Sequence, residues 1–442
     1  MLADVTAISL GGEHSLVLLQ DGSVWSSPIS FRGSGTYVGI PKSFARVTKG
    51  AKYVAAGEYH SLFLKQDNSL WCTGRNSRGQ LGDGSKTKKG KVISIQVFPG
   101  AKSVAGGGFH TLLLTKEGRV FSSGWNEFGQ LGDALTMYRT RYRQAEIIGA
   151  HAAALGDCHS VILIKDGSVR AAGQNNRGQL GDGSQIMRKM FVKVIPSDVA
   201  YITAGAYHSM VVKKDGSVWA TGWNEYGQLG DGSTTDRYGY VQVMESGTGV
   251  KSIDAGNRHS VLLLQDGSLW ATGSNEYGQL GNGSGASKKN FVQVIPEEVM
   301  IAAAGAFHCM VLKEDGSIWV TGSNKYGQFG DGTGKSAKAF FRLKSPFRNN
   351  GARYDNVLIH FHVSEALCSM LCANYLTFPL RVCLSTFARL LTFEHHSALS
   401  GCETETETET EEAFRHHYGK KCKNYFDKFS SEQAFARFRH CD

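Results

Sequence analysis

Proline is scarce in this chain, 7 residues in 442, against about 5% in an average protein. Glycine is abundant instead, at 54 residues, well above the usual roughly 7%. That balance suits an all-β chain with many tight turns and argues against a disordered one. No secretory signal is expected, because no basic stretch precedes an apolar core in residues 1–10; a cytoplasmic or nuclear location follows. Membrane insertion is not expected either. The apolar run 366–380 stops at Arg381 after 15 residues, short of the roughly 20 that a spanning helix needs. The nine cysteines are odd in number and lack framework spacing, so reduced thiols are the simpler reading. Glycines 79, 82 and 84 are followed by no Gly-Lys-[Ser/Thr], which excludes a phosphate loop and leaves turn glycines. No Ser/His/Asp or Cys/His arrangement and no paired carboxylates recur at a useful spacing. A chain that is not an enzyme and carries no cofactor is expected.

What is present is a repeat. His14, His60, His110, His159, His208, His259 and His308 stand 46 to 51 residues apart, each opening an apolar run, and that period decides how other residues are read. After each run comes a turn such as Asp215-Gly216, then a segment such as 218–222, then Asn224-Glu225-Tyr226-Gly227-Gln228-Leu229-Gly230-Asp231-Gly232. Asp-Gly suggests a two-residue type I′ hairpin. The runs 16–19, 112–114 and 261–264 are apolar on consecutive residues, so both faces need cover, which neighbouring units supply. A further strand ends each unit (191–195, 240–243, 291–295) and one precedes each His (103–105, 201–204). Four strands per period, stacked radially, make a β-propeller. The first and last units, around 5–8 and 340–343, are expected to lie side by side and seal the ring; 31–35 replace the Gly-Gln-Leu-Gly turn in a degenerate first unit.

The combination Gly-x-x-His-Ser, Asp-Gly-Ser-x-Trp and Gly-x-Asn-x-x-Gly-Gln-Leu-Gly-Asp-Gly resembles the repeat of the regulator-of-chromosome-condensation family. The resemblance spans residues 1–345, with the signature starting at Asn76, Asn126, Asn175, Asn224, Asn275 and Asn324. It implies an all-β, seven-bladed β-propeller of four-stranded blades. It does not fix one activity, because the family includes exchange factors for the GTPase Ran, a plant ultraviolet photoreceptor, modules of ubiquitin ligases and bacterial binding propellers. The photoreceptor branch relies on tryptophan before the repeated His, where this chain has Glu13, Tyr59, Phe109, Cys158, Tyr207, Arg258 and Phe307. Exchange factors of the family carry a β-wedge inserted in one blade, and the even His spacing leaves little room for one.

Residues repeated around the ring are read as scaffold, and asymmetric ones as site candidates. The seven histidines sit one per blade, too dispersed for a metal cluster, and are read as hydrogen-bonded structure. Asn76, Gln80 and their counterparts brace turns. Trp125 and Trp223 stand in Gly-Trp-Asn turns, outside the usual strand position, which makes them site candidates beside a packing role. Charge is the larger signal. Residues 1–345 hold 37 Lys+Arg against 27 Asp+Glu, and 346–442 hold 11 against 12, so the basic excess lies in the ring. Cations follow the Gly-Asp-Gly turns: Lys86, Lys88, Lys89 and Lys91; Arg139, Arg141 and Arg143; Arg188 and Lys189; Arg237; Lys288 and Lys289; Lys335 and Lys338. Up-and-down blades place these on one face with the Gly-x-x-His loops, among them Tyr207, Arg258 and Phe307. Such a rim collects an anionic partner, namely an acidic protein surface, a small GTPase or chromatin, with non-specific nucleic-acid contact. Its bland alternative is solubility. A monomer is expected.

Residues 346–442 lose the period and read as a poorly ordered, partly helical, low-complexity tail with a Glu-Thr run at 403–412. A misread frame is the other reading. Cys368 and Cys372 near His360 and His362 match no strong zinc pattern.

Overall fold

The computed structural model describes residues 5–27 and 42–344. The tail and the degenerate turn at 31–35 lie outside the described residues.

Seven antiparallel sheets of four strands follow one another along the chain: blade 1 at 5–48, then 51–97, 101–144, 150–195, 199–244, 250–295 and 299–342. Each sheet keeps sequence order, so one repeat makes one whole blade and no strand is exchanged between the chain's ends. The first strand of each blade packs on the first strand of the next, as Val5–Leu10 does on both Ala51–Ala56 and Val299–Ala304. First strands therefore line the axis, and last strands form the outer edge. Among the described residues there is no helix.

The consecutive apolar runs are buried on both faces, as expected. Ser15–Leu19 and His110–Thr115 are buried throughout. Each supplies one face to its own blade's cluster and the other to a neighbour's. At the closure, Val17 and Leu19 of blade 1 join Met310, Leu312, Val320 and Phe329 of blade 7 in one cluster. Burying such side chains is worth roughly 1.5–3 kcal/mol each, so the seam has a core of its own. A backbone bridge between Ser43 and Asp331 and the bond from Ala306 N to Gly11 O (3.1 Å) complete it.

The hairpins correct the type I′ expectation. In blade 1, Gly22 N donates to Leu19 O and Leu19 N to Ser23 O, both at 2.9 Å, which makes a three-residue loop. Gly22 has φ 75° and Asp21 is not in the left-handed region, the pattern of a type I turn closed by a glycine bulge. The aspartate has another use. Its Oδ1 accepts from Ser23 N at 2.8 Å, and the same bond recurs from Ser168 to Asp166 and from Ser217 to Asp215. In blade 2, Asn68 takes the glycine's place at φ 64°, the residue best able to do so.

Candidate binding face

The seams between blades carry one repeated bond. Nε2 of His14, His60, His110, His159, His208, His259 and His308 lies against the side chain of Ser61, Thr111, Ser160, Ser209, Ser260, Cys309 and Ser15 in the next blade. Ser160 Oγ itself donates to Gln130 O at 2.7 Å, and Ser15 Oγ to Gln328 O at 2.7 Å. With its one proton so committed, the hydroxyl accepts from Nε2–H, which fixes that tautomer. Nδ1 of the six histidines after His14 is buried without a partner among the described residues. A proton there would be an unpaired buried charge, and burial pushes those six down to about 3, or about 4 for His259; burial also holds His14 down to about 4. The histidines serve the ring.

Connections from first to second strand and from third to fourth strand emerge together on one face. There the aromatics form two like clusters. Trp125 meets Phe109 and Phe128 edge-on at 5.8 and 5.3 Å, with Arg78 of blade 2 at 5.1 Å from its ring. Trp223 meets Tyr207 and Tyr226 at 5.9 and 5.4 Å, between Arg177 of blade 4 and Arg258 of blade 6. Each indole N–H donates to a carboxylate two residues on, Glu127 at 2.9 Å and Glu225 at 3.2 Å. Trp223 is only 9% exposed, so it anchors these loops. Arg258 donates to Tyr226 Oη at 3.2 Å and lies over Phe307, whose ring meets Tyr277 at 5.3 Å. Tyr207 is half-buried, and burial pushes its phenol up to about 12. Arg75, Arg78 and Arg177 were missed by sequence reasoning because they sit beside the signature Asn, within a motif read as scaffold.

Nearer the axis the same face carries carboxylates. Glu13, Glu58 and Asp157 occupy the Gly-x-x-His loops of blades 1, 2 and 4. Loops are tied to each other by Gly12 N to Glu58 O, Glu58 N to Gly107 O and Asp157 N to Ala206 O. Burial, then the neighbouring Glu58 carboxylate, raises the pKa of both Asp157 and Glu13. The equivalent loop of blade 6 carries Arg258, so the mouth holds both signs while the outer rim is basic.

The rim cations divide into two groups. Lys89, Arg139, Arg188 and Arg237 open the outer strands and turn back onto Asp83, Asp133, Asp182 and Asp231 of their own blades, at 3.0, 2.9, 2.6 and 2.7 Å. Burial works against the Asp182 carboxylate, yet bonds from Ser184 and Arg188 hold it below its ordinary range. Asn175 Nδ2 binds Asp182 as well, at 2.9 Å. These four cations finish the turn. Lys86, Lys88, Lys91, Arg141, Arg143, Lys189 and Lys289 are exposed, and none joins a salt bridge among the described residues. Lys86 Nζ lies 3.4 Å from the centre of the Tyr138 ring in the next blade. Lys288 has Asn282 where blades 2–5 and 7 have the aspartate, and Lys335 and Lys338 are exposed on blade 7.

Models of one repeat match this sequence repeatedly. The regulator of chromosome condensation (RCC1) repeat is found at 51–80, 101–130, 199–228, 250–279 and 302–328, and by a second model at 67–114, 166–212, 215–263 and 266–312. The chain belongs to the RCC1-repeat family. Among solved structures, human WBSCR16 is similar to this RCC1-repeat chain at 24% identity and TM-score 0.62, covering 70% of it and 86% of WBSCR16. Prp20p from Saccharomyces cerevisiae, described with its binding to Gsp1p and histones, is 23% identical with TM-score 0.59, over 66% of this chain and 76% of Prp20p. Yeast RCC1 (Prp20) bound to Kap60 has TM-score 0.63 at 19% identity, over 78% of this chain and 86% of that one. At these identities the likeness is one of fold. No curated protein sequence matches the chain.

Proposed function

We propose that this RCC1-repeat chain is a non-enzymatic binding propeller, cytoplasmic or nuclear, that docks a protein or chromatin partner on its loop face. The division of the rim cations carries this reading. Four hold turns together, while Lys86, Lys88, Lys91, Arg141, Arg143 and Lys189 are exposed with no carboxylate of the described chain bound to them, and exposed cations of one sign attract an anionic partner. The propeller at 1–345 is the binding unit, and 346–442 is a separate appendage. Proteins of this fold that take protein partners, histones among them, lend support.

The test is a salt titration of nucleosome binding by the purified chain. Affinity should fall linearly in log–log form with added salt, and the triple variant Lys86→Gln, Lys88→Gln, Lys91→Gln should lower the slope with no change in melting temperature. A flat plot would show that the rim contacts no phosphates and would remove chromatin from the reading. Exchange activity toward a Ran-type GTPase is the second reading, favoured by the family and by Prp20p's described binding of Gsp1p. It is checked by release of labelled GDP from Ran, which must exceed the intrinsic rate for that reading to stand.

A further inference from the structure

The seven repeats act as internal controls for one another, and at one position two of them depart from the rest. Where the loop leaves the Gly-Asp-Gly turn, blades 5, 6 and 7 carry Thr234-Thr235-Asp236, Gly285-Ala286-Ser287 and Gly334-Lys335-Ser336. Blade 3 has Leu135, Met137 and Tyr138, exposed by 48, 68 and 41%, and blade 4 has Ile186 and Met187, exposed by 62 and 43%. Met190 on the edge strand of blade 4 adds to them, at 49%. The seam brings the two groups together: Ala134 N donates to Lys189 O at 3.0 Å, and Asp133 bridges Met190, so the blade 3 loop leaves its turn beside the start of the blade 4 edge strand. Scattered single apolar residues on a surface carry no message, whereas a contiguous patch marks an interaction site.

Charge beside the patch is of one sign. Segments 135–143 and 184–194 contain no Asp or Glu, and Arg139 and Arg188, which stand between the apolar tips, are turned inward onto Asp133 and Asp182. Exposed cations stand along the outer strands, at Arg141, Arg143, Lys189 and Lys193, and Lys86 of blade 2 lies over the Tyr138 ring at the patch's other end. The result is an apolar stripe bordered by exposed cations and, within these segments, by no carboxylate.

We propose that the rim of blades 3 and 4 is a docking site for an acidic amphipathic segment of a partner protein, which lays its apolar side on Met137, Ile186 and Met190 and its carboxylates on Arg141, Arg143 and Lys189. This rests on the binding reading above and names the partner's chemistry. A phosphodiester backbone offers nothing to methionine and isoleucine tips, while a segment with one apolar and one acidic side matches the stripe and its cations, and methionine suits such surfaces because it repacks easily.

A library of random 16-residue peptides displayed on phage, selected on the full chain, provides the test. Selected peptides are expected to combine Asp or Glu with Leu, Ile or Phe. A synthetic copy should bind the triple variant Met137→Ser, Ile186→Ser, Met190→Ser at least about tenfold more weakly, while binding Lys335→Gln, Lys338→Gln of blade 7 unchanged. Both variants should keep the parent melting temperature, since the substituted side chains are exposed. Selection without acidic apolar peptides, or equal binding by the serine variant, overturns the proposal. So does loss of binding to phosphatidylserine vesicles, or to a 20-base-pair DNA duplex, by a serine variant that keeps the peptide. Nucleosome binding that depends on Lys86, Lys88 and Lys91 while the peptide arm fails would remove this site and keep the broader reading.

Discussion

His308 Nε2 lies 2.9 Å from Ser15 Oγ across 293 positions of sequence, the same separation as between His110 and Ser160 within the ring. The closing seam is thus chemically equal to an internal one. Ser15→Ala leaves His308 Nε2–H and the Gln328 carbonyl without their partner, at a cost of about 1–3 kcal/mol. Ser160→Ala should cost the same. Denaturant unfolding of the two variants checks this, and a Ser15→Ala variant as stable as the parent would mean that the ring opens at that seam.

Acid should unfold the propeller early. The seven seam histidines have folded pKa values of about 3 to 4, below the roughly 6.5 of an unfolded chain. Between about pH 4 and 6.5 the unfolded chain takes up protons that the folded ring refuses. Stability is therefore full above that window and falls on acidification, by up to about 1.4 kcal/mol per pH unit for each histidine. Asp157 and Asp254, whose carboxyls are raised by burial, oppose this in part. Unfolding free energies measured from pH 7 to 4.5 should show net uptake of several protons; a constant value across that range contradicts the assignment.

Ala134 has φ 65°, where five other blades place a glycine, Gly183 at 81° and Gly232 at 79° among them. An L side chain pays for this conformation with a clash against backbone. Ala134→Gly should stabilise the chain by about 1 kcal/mol, and Gly183→Ala should destabilise it by a similar amount. Thermal unfolding of the pair tests the sign in both directions.

Cys309 stands where the other seams have a hydroxyl, 3.0 Å from His259 Nε2. Burial raises its thiol well above the ordinary range. It should stay unreactive toward an alkylating reagent in the folded chain at pH 8. Cys309→Ser, by restoring the better acceptor, should raise stability by about 0.5–1 kcal/mol.

Much of this architecture was legible in the repeat. The His period gave the blade count, and the consecutive apolar runs gave blades covered on both faces, because a period of about 49 residues with four strands has few other solutions. The hairpin type was misjudged: Asp-Gly also fits a three-residue loop, and the backbone bonds of Leu19 to Gly22 and Ser23 distinguish the two. At the rim, the sequence could show that Arg188 and Lys189 are both basic, though not that one faces Asp182 and the other solvent, because that depends on which way each side chain leaves the outer strand. Leu135, Met137 and Ile186 were visible as departures from the other repeats. They went unread because an apolar residue carries no signal until its exposure is known.

Neighbouring Arg188 and Lys189 offer the most direct test of the division between scaffold and binding cations. Arg188→Gln and Lys189→Gln remove the same charge one position apart, and each is measured for melting temperature and for the salt dependence of nucleosome binding. Lys189→Gln should reduce the binding slope by about one unit at an unchanged melting temperature, while Arg188→Gln should lower the melting temperature and leave the slope as it was. Equal loss of binding in both, or in neither, would contradict the account.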